Sequence, residues 1–224
     1  MTSWHAQLIL ALLTFCTSLS FAQSSRTYGD ISVMSNKVEK GITQSNKNPS
    51  VEAGFGYLFG TQGKIGFDAG SVSFPDENAN VALAIFGEYK FIFSPTSDLK
   101  VRNDLIRYYS EGLRNNTIIS LDQNFSGYHI LLSRDDNFEG TKTHRSWYAF
   151  HKDWPWTATY LINTTIGYST LELDDYANYF DTLVGITYQT GNLAIALNNT
   201  WTSKASQFNG EADLFFALVV TAKF

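Results

Sequence analysis

From about residue 28 to the last residue, apolar side chains recur at every second position, stretch after stretch. A period of two sends alternate residues to opposite faces of an extended strand and fits no amphipathic helix. Leu193, Ile195, Leu197 and Trp201 share one face; Ala194, Ala196, Asn198 and Thr200 share the other. Val51, Ala53, Phe55, Tyr57 and Phe59 stand against Glu52, Gly54 and Gly56, and Ile65, Phe67 and Ala69 against Lys64, Gly66, Asp68 and Gly70. Residues 81–93 set Val81, Leu83, Ile85, Tyr89, Phe91 and Phe93 against Glu88 and Lys90. Twelve segments are expected as strands: 28–36, 49–59, 63–74, 80–93, 98–109, 116–125, 127–135, 145–153, 156–169, 179–189, 193–201 and 212–224. Residues 145–153 alternate poorly, so their facing stays open. Arg107 to Tyr109 breaks the pattern, which marks a candidate β-bulge.

The apolar faces need a partner. After residue 22 the longest clean apolar run is Leu214 to Val220, too short for a membrane-spanning helix. Strands can cross lipid only as a closed barrel, which satisfies every backbone group internally. The connections support that reading, because they alternate long and short. Long ones fall near 37–48, 75–79, 110–115, 136–144, 170–178 and 202–211; short ones near 60–62, 94–97, 126–127, 154–155 and 190–192. Short periplasmic turns and longer extracellular loops are the signature of bacterial outer-membrane barrels. The expected fold is therefore all-β: a transmembrane antiparallel β-barrel of about twelve strands in the bacterial outer membrane.

Two further features agree. Counting back from Phe224, Ala222, Val220, Leu218 and Phe216 alternate to the end of the chain, the pattern of a terminal strand read by the outer-membrane assembly machinery. Aromatic residues, 15% of the chain, fall near strand ends. Tyr57, Phe59, Tyr89, Phe91, Phe93, Phe125, Tyr128, Trp154, Trp156 and Phe224 belong to a periplasmic girdle, and Tyr109, Trp147, Tyr168, Tyr179, Phe180 and Trp201 to the opposite one.

The first 22 residues read differently. They carry no Asp, Glu, Lys or Arg, and Leu8 to Leu13 is an apolar core. Ser20 and Ala22 provide small residues for cleavage, so 1–22 is expected to be a signal peptide and 23–224 the barrel. The sole cysteine, Cys16, lies in that leader, so no disulfide is expected in the mature chain. Charged residues are only 17%, below the roughly 25% of soluble domains. No cluster of Lys and Arg suggests nucleic acid as a partner.

The stretch from Lys40 to Tyr57 resembles a proteobacterial family of porins, the Gcw_chp or TorF-type family. Gly41, Ile42, Gln44, Ser45, Pro49 and Tyr57 match its N-terminal pattern, with Lys40 where the family usually has Arg. The resemblance spans about residues 28–74. It implies an outer-membrane barrel with channel activity and supplies no substrate.

Inside a barrel, positions alternate with the apolar ones face the lumen. That assigns Glu52, Lys64, Asp68, Glu88, Lys90, Lys100, Arg102, Asp104, Asp122, Asp181, Asp213 and Lys223 inward, seven acids and five bases. Two readings follow: a charged wall that screens polar solutes, or ion pairs that brace a filled barrel. The ladder from Lys100 to Asp104 is read as pairing across to neighbouring strands. Lys37 to Asn48 is read as a solvated surface loop, with an inward-folded gate as the other reading.

The function expected is passive diffusion of small polar or ionic solutes. The alternatives are a non-conducting structural or adhesive barrel and a lipid-modifying enzyme. His129, His144 and His151 sit near serines without a nucleophile motif, and are read as interfacial or loop-borne rather than catalytic. Asp135-Asp136 and Asp174-Asp175 are read as solvated loop acids. No P-loop, dinucleotide fingerprint or zinc-ligand spacing appears, so no cofactor and no metal is expected. Membrane lipid and lipopolysaccharide are the remaining expected partners.

Overall fold

The computed structural model describes residues 26–75, 78–109, 114–173 and 176–224. The expected signal peptide at 1–22 and the Asp174-Asp175 pair lie outside them. Among the described residues fourteen strands occur in chain order: β1 Thr27–Met34, β2 Val38–Glu39, β3 Ile42–Thr43, β4 Ser50–Phe59, β5 Gly63–Ser71, β6 Val81–Ser94, β7 Ser97–Tyr109, β8 Asn116–Phe125, β9 Tyr128–Asp135, β10 Arg145–Pro155, β11 Tyr160–Leu171, β12 Tyr179–Thr190, β13 Leu193–Thr202 and β14 Phe215–Lys223. Twelve of these, all but β2 and β3, form one closed antiparallel barrel in which each strand pairs with its sequence neighbours. Strands β1 and β14 close it, in register from Asp30 opposite Lys223 to Met34 opposite Val219.

The closing seam is reinforced beyond the ladder. Gly29 and Phe224 exchange both backbone hydrogen bonds, at 3.0 and 2.9 Å, and the Ser32 and Thr221 hydroxyls meet at 2.8 Å. A β-carbon on Gly29 would stand 2.5 Å from the Phe224 ring, so only glycine lets that ring lie against the seam.

The sorting of side chains is the reverse of a soluble protein's. Outward residues such as Ile85 and Phe216 are 66% and 67% exposed, whereas Asp135 and Tyr179 are 1% and 0% exposed. A contiguous apolar exterior of this extent requires lipid around it. Leu214, Phe216 and Leu218 all lie outward, as the alternation predicts. Outward charge is confined to the rims: Lys152 lies at one end, its ammonium 4.0 Å above the Tyr128 ring, and Arg134 pairs with Glu172 at the other.

Connections alternate by end. One end carries residues 60–62, 95–96, 126–127, 156–159 and 191–192; the other carries, among the described residues, 35–49, 72–75, 78–80, 114–115, 136–144, 172–173, 176–178 and 203–214. We call these the turn end and the loop end. The two-residue turn Ser126-Gly127 has φ of 53° and 78°, the mirror-image turn whose twist suits a tight hairpin.

Several expectations need correction. The strand expected to run to residue 74 ends at Ser71, because Val72, Phe74 and Ala79 fold inward against Ala82 and Tyr108. The strand expected from 156 starts at Tyr160, because the Thr157 hydroxyl accepts the amides of Thr159 and Tyr160 and holds a turn. The register is unbroken at Arg107 to Tyr109; the irregularity lies at Ile92 to Ser94, at the turn end. Trp147 and Tyr179 leave the expected girdle and point inward, where each makes polar contacts at the loop end. The poor alternation of 145–153 has the same origin, since β10 turns the large Trp147 ring into the lumen.

Candidate functional site

The loop from residue 35 to 49 does not lie in solvent. It folds into the barrel mouth as a hairpin of β2 and β3, and Ile42 and Thr43 are fully buried. Its turn, Lys40-Gly41, has φ of 49° and 80°. Gly41 is required on two counts: its positive φ, and the Thr202 hydroxyl 2.3 Å from where a β-carbon would sit. That hydroxyl donates to the Gly41 carbonyl at 2.7 Å, which docks the hairpin tip on the far wall.

A polar latch holds the tip. The Lys40 ammonium lies 2.8 Å from Asp135 Oδ1, and the Arg145 guanidinium pairs with Asp135 Oδ2. Arg145 also donates to the Tyr179 hydroxyl at 3.2 Å, which donates to the Lys40 carbonyl at 3.3 Å. Asp135 is therefore a buried latch residue and not a solvated loop acid. Beside it, Ile42 packs with Phe138, Tyr179, Phe208 and Ala212 into a small apolar core. This core covers the mouth on the β10–β13 side.

The opposite side stays open. Between the hairpin and the wall of β4–β8 lies a cavity of about 250 Å³, lined by Lys37, Glu39 and Gln44 from the loop and by Asp68, Arg102 and Asp104 from the wall. A second cavity of about 300 Å³ lies at the turn end, lined by Lys64, Glu88, Lys90 and Lys100.

The inward charges of β4–β8 form a lattice. Arg102 bridges Asp68 at 3.0 Å and Asp104 at 2.6 Å, with its guanidinium 3.8 Å over the Phe86 ring. Lys64 meets Glu88 at 3.2 Å, Lys90 meets Asp98 at 3.1 Å, and Lys100 meets Asp122 at 2.5 Å. Lys37 spans Glu52 at 2.5 Å and Glu39 at 3.2 Å, tying the hairpin base to the wall.

The protonation of the hairpin follows these contacts. Burial, with Arg145 beside it, pulls the Lys40 ammonium below its ordinary value although Asp135 opposes the shift. For Lys37 burial works the same way but loses to Glu39 and Glu52, which together hold the charge on. The Lys37 ammonium in turn keeps the Glu39 carboxyl below the usual carboxylate range.

The structure thus brings together Glu52, Lys64, Asp68, Glu88, Lys90, Lys100, Arg102, Asp104 and Asp122 on one contiguous wall. Three of the expected residues stand apart. Asp181 is buried at the loop end, accepting the Trp147 indole N–H at 2.8 Å. Lys223 is exposed at the turn end of β14, and Asp213 is exposed in the loop before that strand. The ladder from Lys100 to Asp104 pairs as expected, partly across strands and partly along its own.

Residues that the sequence did not assign to the lumen include Asp30, Asp98, Asp135 and Arg145. Asp98 shares the parity of Lys100 and could have been found from it. Asp135 and Arg145 are direct cross-strand partners, a relation visible only once β9 and β10 are paired. His129 and His151 are inward, neither interfacial nor in loops. His129 Nδ1 lies 2.7 Å from Asp122, and the two imidazoles stand 5.6 Å apart. His151 bridges Thr165 at 2.9 Å and Asp153 at 3.2 Å.

A sealed barrel with an apolar exterior, a charged lumen and one loop folded into its mouth is a transmembrane β-barrel of the outer-membrane type. Solved structures of that type superpose on it. A KdgM porin aligns with a TM-score of 0.59 at 11% identity, over 88% of this chain and 99% of its own. A NanC porin aligns with a TM-score of 0.59 at 6% identity, over 88% of this chain and 98% of its own. A KdgM porin solved in complex with disordered oligogalacturonate aligns with a TM-score of 0.58 at 10% identity, over 88% and 99%. At these identities the likeness is one of fold. No protein-family model and no curated protein matches the chain.

Proposed function

We propose that this protein is an outer-membrane channel through which small polar or ionic solutes diffuse passively. The observation that carries the reading is the ion-lined cavity of about 250 Å³ that remains between the hairpin and the charged wall. A barrel serving only as a scaffold has no need of a water-accessible, ion-lined gap beside a docked hairpin. The loop end faces the exterior and the turn end the periplasm, the orientation expected from loop length. The resemblance of Lys40 to Tyr57 to the Gcw_chp family supports the same reading, since its matched residues Gly41, Ile42, Gln44 and Ser45 belong to the loop folded into the mouth. Lipopolysaccharide around the apolar wall and recognition of β14 by the assembly machinery belong to this proposal.

The chain acts without chemistry on its solute. Its inward hydroxyls and imidazoles serve as hydrogen-bonding partners in the wall. Planar-bilayer recording tests the channel: discrete conductance steps support it. Asp135→Asn, which breaks the latch, should raise the conductance or the open fraction. A silent wild type together with a silent Asp135→Asn variant favours the non-conducting barrel, for which the apolar core around Ile42 is the specific support.

A further inference from the structure

We infer that the passage selects for small cations and disfavours polyanions. This deepens the channel reading and rests on it. The argument is one of charge balance across the two walls. Every basic side chain of the lattice and latch lies within ion-pair distance of a carboxylate, so no run of free positive charge lines the lumen.

The acids are not all matched in return. Arg102 is shared by Asp68 and Asp104, and Lys37 by Glu39 and Glu52, so each group has one negative charge in excess. Both groups border the cavity between the hairpin and the wall. Asp30 adds another: it faces the lumen on β1, and Lys223, opposite it on β14, acts on it without coming within ion-pair distance. At the loop end the balance is even, since Lys40 and Arg145 share Asp135 while Asp181 lies beside Gly41.

The opposite wall does not compensate. Inward positions of β11–β14 carry Asn163, Thr165, Thr187, Asn198 and Thr221, and the one inward base is Lys223 at the exposed turn end. Excess charge of one sign in a narrow passage with low-dielectric walls concentrates counter-ions there. Small cations gain from this field. An acidic oligosaccharide would need free basic side chains to replace its counter-ions, and this lumen has them only at its exit.

The test is the reversal potential of the leaderless chain in planar bilayers under a KCl gradient. A cation-selective sign is expected, with a K⁺ to Cl⁻ permeability ratio above about two. Asp30→Asn should move the ratio toward one, and Asp30→Asn with Glu52→Gln further still. Digalacturonate added to either side should not block the current. A zero or anion-selective reversal potential in the wild type overturns the inference and leaves the channel reading standing. Silence in both the wild type and Asp135→Asn overturns the channel reading and this inference with it.

Discussion

Asp135 does more to place the hairpin than any other side chain. It is 1% exposed and pairs with two cations, Lys40 from the loop and Arg145 from the wall. Asp135→Asn leaves both cations facing each other in a buried site, and removing one partner of such a group costs about 3–5 kcal/mol. The expected outcome is an undocked hairpin, read as protease sensitivity at residues 35–49 with the barrel's heat-modifiable gel mobility retained. Gly41→Val should undock the tip by a different route, through positive φ and collision with Thr202. Acid should loosen the hairpin base. The Glu39 carboxyl is held below its ordinary value of 4.5 by Lys37, so its attraction is complete above that value and is lost as pH falls through the lowered one. Open probability recorded from neutral pH downward should therefore rise below about pH 4.5.

Each strand answers to two rules at once, lipid on one face and the lumen on the other. That is why the strands were so legible in the sequence: a one-residue slip would turn β13's Leu193, Ile195 and Leu197 inward and Asn198 out to hydrocarbon. Val184, outward at mid-strand on β12, tests the rule. Val184→Arg should cost about 2–4 kcal/mol of folding stability in lipid, measured by reversible denaturation, because a cation then faces hydrocarbon at depth. What the period could not reveal was contact between elements. Trp147 and Tyr179 look like girdle residues by position, yet their polar atoms find Asp181 and Arg145 inside. Nor does the period reach loops, so the inward turn of Lys37 to Asn48 left no mark in the alternation. Its trace was chemical: a buried Ile42 beside a glycine with a required positive φ. The seam between β1 and β14 is the element most dependent on one residue. Phe224→Ala should lower the yield of assembled barrel, read as the unheated compact band on a gel, while Gly29→Val should do the same through the Phe224 ring.

At the scale of the molecule, the barrel is divided across its width. One wall, β4–β8, carries the ion lattice; the other, β11–β14, is mainly hydrogen-bonding, with Asp181 at the loop end and Lys223 at the turn end as its inward charges; the hairpin spans the mouth between them. The sequence showed the charged wall almost completely, because its residues alternate with apolar ones along five successive strands. It did not show that these charges are mostly matched, which depends on cross-strand register, nor that the hairpin leaves its gap on the charged side. On the proposed channel function, those two facts together predict narrow and mildly selective permeation rather than a wide, general pore.

The account depends on alternate residues facing oil and water around a sealed cylinder. Single cysteines along β13 measure this directly once the chain's sole cysteine, Cys16, which precedes β1 in the sequence, is replaced by serine. In lipid vesicles, a small membrane-impermeant maleimide should label Ala194→Cys and Asn198→Cys and spare Ile195→Cys and Leu197→Cys. Uniform labelling of all four, or labelling with the opposite parity, would contradict it.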